Sequence, residues 1–189
     1  MSNQAWVEPF ITAGEDGTAL ASSITATSIL HASRKFTLPS YFFDATGKTL
    51  RVRATGRIST VVTTPGTLTL EVRFGSVAVF TSGAMTLNIV AQTNTHWMLD
   101  VDLVCRTMGA STSANLLSQG TWKSHAVIGS PAPTAGGAGE HMLPYNAAPA
   151  VGTGFDSTAA QTVDLFATWS VSNAANSIQC HSFSILALN

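Results

Sequence analysis

The strongest signal along this chain is alternation with period two. In "TPGTLTLEVRFGSVAVF", residues 64–80, Leu68, Leu70, Val72 and Phe74 alternate with Thr67, Thr69, Glu71 and Arg73. Gly75 and Ser76 then turn the chain into Val77, Val79 and Phe80, the pattern of a β-hairpin with one buried face. "KTLRVRATGRISTVV" sets Leu50, Val52 and Ala54 against Arg51, Arg53 and Thr55. Residues 96–107 set Trp97, Leu99, Val101, Leu103 and Cys105 against Met98, Asp100, Asp102, Val104 and Arg106. Further extended segments are predicted over residues 18–33, in "KFTLP", "GAMTLNIV" and "ANLLSQGTWKSHAVIG", and in "AQTVDLFATWSVS" and "SIQCHSFSILAL" near the end. No stretch of a dozen residues has a convincing helical period. Breakers such as "TPG", "GS" and "SNAAN" fall at the spacing of an all-β sandwich or barrel.

Two regions stand outside this pattern. Residues 1–17 read as an N-terminal arm, in which Trp6, Val7, Phe10 and Ile11 surround Glu8-Pro9 ahead of the break "TAGEDG". Residues 18–189 read as one domain. Within it, residues 129–154 hold four of the seven prolines and six of the fifteen glycines and read as one long loop. That loop is either a crossover between sheets or a partner contact with Met142, Leu143 and Tyr145 as apolar anchors. An internal echo links "FDATGKTLRVRATGRIS" from Phe43 with "FDSTAAQTVDLFATWSVS" from Phe155, with one residue inserted. Leu50 then corresponds to Val163, Val52 to Leu165 and Ala54 to Ala167, which predicts equivalent strands in a double Greek-key jelly roll.

Composition narrows the function classes. Only 10% of the 189 residues are charged, well under the usual quarter, and the net charge is −1. Small polar residues take their place, as on a surface partly covered by other subunits. Disorder is disfavoured, because it needs low hydropathy and high net charge. Arg51, Arg53, Arg57 and Arg73 alternate within strands as a solvated face, without the basic excess of a nucleic-acid stripe. No apolar run reaches the ~18 residues of a membrane span. "MSNQAWVEPF" lacks the basic end and apolar core of a secretory signal, so synthesis in the cytoplasm without export by that route is expected. Cys105 and Cys180 sit in apolar strand patterns and read as buried reduced thiols.

Candidate chemistry is sparse. Nucleophile-elbow and phosphate-loop motifs are absent, and "GGAGE" lacks the strand–turn–helix setting of a nucleotide site. His31, His96, His125, His141 and His181 are scattered, with no metal-binding spacing. Asp100 and Asp102, at i and i+2 on a strand, share one face as a carboxylate pair for Ca²⁺ or acid–base work would. The polar side of an amphipathic strand accounts for them as well, and Glu140-His141 offers less. Trp97, Trp122 and Trp169 lie inside strand patterns, where burial in the core or an interface is expected, and only Tyr145 suggests a sugar contact. The residues therefore predict no catalytic site, no metal and no cofactor.

The phrases "ASSITATSILHASRKFTLPSYFFDATGKTLRVRATGRISTVVTTPGTLTLEVRFG" and "FDSTAAQTVDLFATWSVSNAANSI" resemble small structural proteins of tailed bacteriophages, with the similarity spanning most of residues 18–188. The resemblance implies a jelly-roll-like antiparallel β-sandwich on the outside of a virion, often a homotrimer. It implies a capsid decoration (cement) protein bound to the major capsid protein or other virion proteins, with no catalytic residues to carry over. No collagen-like or heptad stalk precedes the domain, which favours a compact block over a fibre. The arm, Trp6 to Ile11, is then the expected lattice contact. The alternative is a tail or tail-tip component that binds a host receptor or glycan. A jelly-roll enzyme acting on cell-surface polysaccharide ranks third, resting on Asp100 and Asp102.

Overall fold

Alternation in sequence becomes alternation in burial. In β5 (Thr49–Thr60), Leu50, Val52, Ala54 and Ile58 are fully buried, while Arg51, Arg53 and Arg57 face outward. β6 (Thr67–Phe74) buries Leu68, Leu70, Val72 and Phe74, and β9 (Gln92–Thr107) buries Trp97, Leu99, Val101, Leu103 and Cys105. Each Val, Leu, Ile or Phe among them contributes roughly 1.5–3 kcal/mol by leaving water, which fixes the register, since a one-residue slip would turn every one of them outward.

The computed structural model describes residues 7–128, 138–149, 151 and 154–188. The remaining strands are β1 (Val7–Ala13), β2 (Leu20–Ala21), β3 (Thr27–Ser28), β4 (Phe36–Leu38), β7 (Val77–Thr81), β8 (Met85–Thr86), β10 (Asn115–Ile128), β11 (Ala138–Leu143), β12 (Gln161–Trp169) and β13 (Ser177–Leu188). They form an all-β sandwich of two antiparallel sheets. The long sheet runs β1-β13-β5-β9-β10-β11, with β2 also on β13. The short sheet runs β3-β12-β6-β7, with β4 on β12 and β8 on β6.

The pairings are nested. β6 lies against β7, β5 against β9, β3 and β4 against β12, and β1 against β13. The chain is thus one long hairpin, and winding it around itself also sets β13 beside β5 and β12 beside β6. This is a jelly roll, with β10 and β11 added to one edge. The echo from Phe43 and Phe155 leads into β5 and β12, each an inner strand of its own sheet. The two phenylalanine rings meet edge to face at 5.7 Å between the sheets.

Four segments depart from the sequence pattern, one being residues 83–90, expected as extended but holding only the two-residue β8. Residues 18–33, expected as extended strand, hold only the two-residue β2 and β3 before a 3-10 turn at Ala32–Arg34. Here the chain passes from the long sheet to the short one, and a sheet change leaves little room for continuous pairing. Residues 7–13, expected in an arm, form β1, the terminal strand of the long sheet. Phe10 reaches across to the other layer, stacking on Phe36 of β4 at 5.1 Å and meeting Phe42 edge-on at 5.3 Å. Within the expected loop 129–154, residues 138–143 form β11, pairing Gly120 with Leu143 and Lys123 with Glu140; residues 129–137, 150, 152 and 153 lie outside the described residues.

Candidate functional site

Asp100 and Asp102 do share the outer face of β9, as their spacing predicts, and the neighbouring strand engages both. β5 runs antiparallel beside β9 with Arg51 opposite Asp102 and Arg53 opposite Asp100. Arg51 Nε and Nη2 donate to the two Asp102 carboxylate oxygens at 2.7 and 2.9 Å, and Arg53 Nε donates to Asp100 Oδ2 at 2.6 Å. Arg51 Nε also lies 3.6 Å from Asp100 Oδ1, so the four groups form a ladder. The Asp102 hydrogen bonds hold the Arg51 guanidinium proton above its ordinary range. One guanidinium thus takes one acceptor site on each Asp102 oxygen, a bidentate pair that fixes the carboxylate's orientation. The short sheet pairs its charges differently, within one strand or with a side chain outside the strands. Lys35 Nζ meets Asp164 Oδ2 at 2.7 Å, and Arg73 pairs with Glu71 while its guanidinium lies over the Phe166 ring at 4.3 Å.

The other chemical candidates are structural. Trp97 and Trp122 stack at 5.2 Å in the core, and Trp97 Nε1 donates to the Arg57 carbonyl at 3.1 Å. Trp169 is buried as well and donates to the Leu20 carbonyl at 3.3 Å. Cys105 and Cys180 are buried free thiols, and burial pushes Cys180 up to about 12. Glu140 pairs with Lys123 at 2.8 Å, and the His141 ring stands edge-on to Tyr145 at 5.5 Å. Among the described residues no three His, Cys, Asp or Glu side chains are grouped to hold a metal ion, and no helix is long and apolar enough to cross a membrane.

The contact residues proposed from sequence separate into two places. Val7 is 60% exposed on β1, while Phe10 and Ile11 are half-buried against the core; Trp6 lies outside the described residues. Met142 is 74% exposed on β11, Leu143 is buried, and Tyr145 packs on the core. β1 and β11 are the two opposite edges of the long sheet, each with one side lacking a strand partner among the described residues. Glu8, Pro9 and a bulge between Pro9 and Ile11 blunt the β1 edge, as native edge strands require.

A third surface was not singled out from sequence. Among the described residues, four connections close one end of the sandwich: residues 22–26, 61–66, 87–91 and 170–176. Thr63 N donates to the Ile89 carbonyl at 2.8 Å, Val61 N to Asn176 Oδ1 at 2.9 Å, and Ser172 Oγ to the Ser22 carbonyl at 2.7 Å. Ile24, Val62 and Val90 are exposed there by between 45% and 62%. The signal available in the sequence is that residues 17–30, 58–70, 74–99 and 165–189 contain no Asp, Glu, Lys or Arg. At the opposite end Tyr41 is 67% exposed, the one exposed aromatic among the described residues. Its loop meets the Met108–Gly109 loop at Ser157.

No protein-family model matches this chain, and no curated protein matches it. Among solved structures it is similar to the CBM2 module of the evolved Dit of Lactobacillus casei BL23 phage J-1. That alignment covers 98% of both chains at 9% identity, with a TM-score of 0.41. No residue role follows from a likeness of that degree.

Proposed function

We propose that this protein is a non-enzymatic structural component of a tailed-phage virion, and that it decorates the head exterior by bridging neighbouring capsid subunits. The observation that supports this reading is the placement of the two sequence-derived contact regions on the two edges of one sheet. At β11 the terminal strand presents backbone N–H and C=O groups that a neighbouring chain can extend, whereas the β1 edge, blunted by Pro9 and its bulge, offers side chains. Val7 beside one edge and Met142 beside the other add apolar area, worth roughly 25 cal/mol per Å² buried before association costs are subtracted. One rigid sheet gripping a neighbour at each edge is a cross-brace, and many weak braces on a symmetric shell add up. The arginine-engaged carboxylates Asp100 and Asp102 support the non-enzymatic part of the reading.

The test adds purified protein to undecorated heads and to host cells, with Val7→Asp and Met142→Lys variants alongside. Head binding that stiffens the shell against heat, weakened by either variant, is the expected result. Protein that ignores heads overturns the reading. Deleting the arm is a poor test, because losing β1 would expose Phe36 and Phe42 and the edge of β13. Exposed Tyr41 favours a second reading, a tail-tip module that binds a host receptor or glycan. Binding to cells that is lost in Tyr41→Ala would establish that role.

A further inference from the structure

The uncharged end of the sandwich has a chemistry that points to a particular occupant. All nineteen charged residues of the chain lie outside the four segments that build it; the first charges inward are Arg57 on β5, Glu71 on β6, Asp100 on β9 and Asp164 on β12. β13, which leaves this end, contains none. A shallow groove of about 480 Å³ crosses the end, lined by uncharged residues from three of the four connections or their flanking strands, among them Val62, Ala91 and Ala175. At the 10% charge of the whole chain, loops of this total length would carry about two charged residues. Their complete absence here, beside exposed Ile24, Val62 and Val90, marks a surface adapted to being covered.

We propose that this end is where copies of this chain meet one another around a rotation axis. The reason lies in symmetry. In a closed cyclic assembly the loops at the axis face the same loops of the next copy, so any charge placed there meets its own sign at short range. Heterologous partners tolerate charge, because the other side can supply the opposite sign; copies clustered at an axis largely cannot. A charge-free end is what self-apposition requires.

The polar groups agree. Asn176, fully buried, accepts from Val61 N and donates to the Pro65 carbonyl at 3.0 Å. Thr67 N donates to Ser170 Oγ at 2.7 Å, and Trp169 N to the Ser23 carbonyl at 3.2 Å. With its loops tied to one another, the end strands few donors when covered and loses little freedom on association. A neutral glycan fits less well, since the exposed side chains here are aliphatic and the nearest tryptophan, Trp169, is fully buried beneath them.

The test is the solution mass of the full chain by sedimentation equilibrium, for the wild type and for Val62→Lys, Val62→Glu, Val90→Lys and Met108→Lys. The expected result is an oligomer whose dissociation constant rises roughly a hundredfold or more in Val62→Lys and in Val90→Lys. Met108→Lys, at the opposite end, leaves it unchanged. Mixing Val62→Lys with Val62→Glu restores association, and 1 M salt partly restores Val62→Lys alone by shortening the Debye length to about 3 Å. A wild type monomeric at millimolar concentration overturns the proposal, as does a Val62→Lys protein that associates like the wild type. Head binding is read separately, so a monomer that still binds heads would sink this inference and leave the decoration role standing.

Discussion

The outer face of the long sheet and the loop end beside it are supplied by the same strands, yet their chemistry is opposite. β5 sets Arg51 and Arg53 along the face and then runs on into Val61 and Val62 at the end; β9 begins near Val90 and proceeds to Asp100 and Asp102. Along the face, strand register sets Arg51 opposite Asp102 and Arg53 opposite Asp100, while Arg57 donates to the neutral Gln179. The four connections at the end carry no charged residue at all.

The most severe way to break this contrast is to break the strand that carries both surfaces. At Gly56 a Cβ would lie 1.9 Å from the Gln179 carbonyl oxygen. Gly56→Ala should part β5 from β13 and lower stability by about 2–4 kcal/mol in urea unfolding, loosening the face and the end together. An unchanged midpoint would mean that the two strands can separate without cost.

Next in size is the separation of folding from association. Val62→Lys should alter the stability of the single chain by less than about 0.5 kcal/mol, because the side chain is exposed. A larger loss would place Val62 in the core rather than on a covered surface. On the charged face, a double-mutant cycle of Arg51→Ala with Asp102→Ala should give a coupling of about 0.5–1 kcal/mol, discounted because both groups are about a third exposed and falling as salt is added. Zero coupling at low salt would reduce the ladder to coincidence.

Two smaller effects sharpen the picture. Glu15 accepts from Ser33 and pairs with His31 at 3.0 Å, and Asp16 meets His181 Nδ1 at 2.7 Å, pinning the turn that follows β1. Hydrogen bonds from Ser33 and His181 hold the two carboxyls below their ordinary values of 4.5 and 3.8. Their contribution is therefore complete above that range and is lost as pH falls through the lowered folded values. Amide exchange in β1 should rise below about pH 4 before the inner strands respond. Uniform exchange would show that the pins do not act locally. Last, Cys105 and Cys180 should resist alkylation at pH 8 until the chain unfolds, since burial raises both thiols. Rapid labelling of either would contradict its placement in the core.

The long strands β5, β6, β9, β10, β12 and β13 were legible because period-two patterning reports directly which face is buried. Leu50, Leu68 and Trp97 occupy the core as their alternation requires. β1 and β11 were harder to read. Pro9 and the bulge interrupt the alternation of the first, and the glycine- and proline-rich surroundings obscure the second. The carboxylate pair at Asp100 and Asp102 was visible as a shared face, but Arg51 and Arg53, some fifty residues earlier, became its partners only when β5 lay down beside β9.

By itself, then, the sequence determined the class of the fold and the inward face of each long strand, since both follow from local spacing and the transfer of apolar groups out of water. It also determined where charge is missing. Tertiary structure alone decided what those facts mean together. The nesting of distant strands turned an arm and a loop into the two edges of one sheet. It also gathered four separate uncharged segments into one end, because loop adjacency depends on how the long hairpin winds, a property that no single stretch of residues contains.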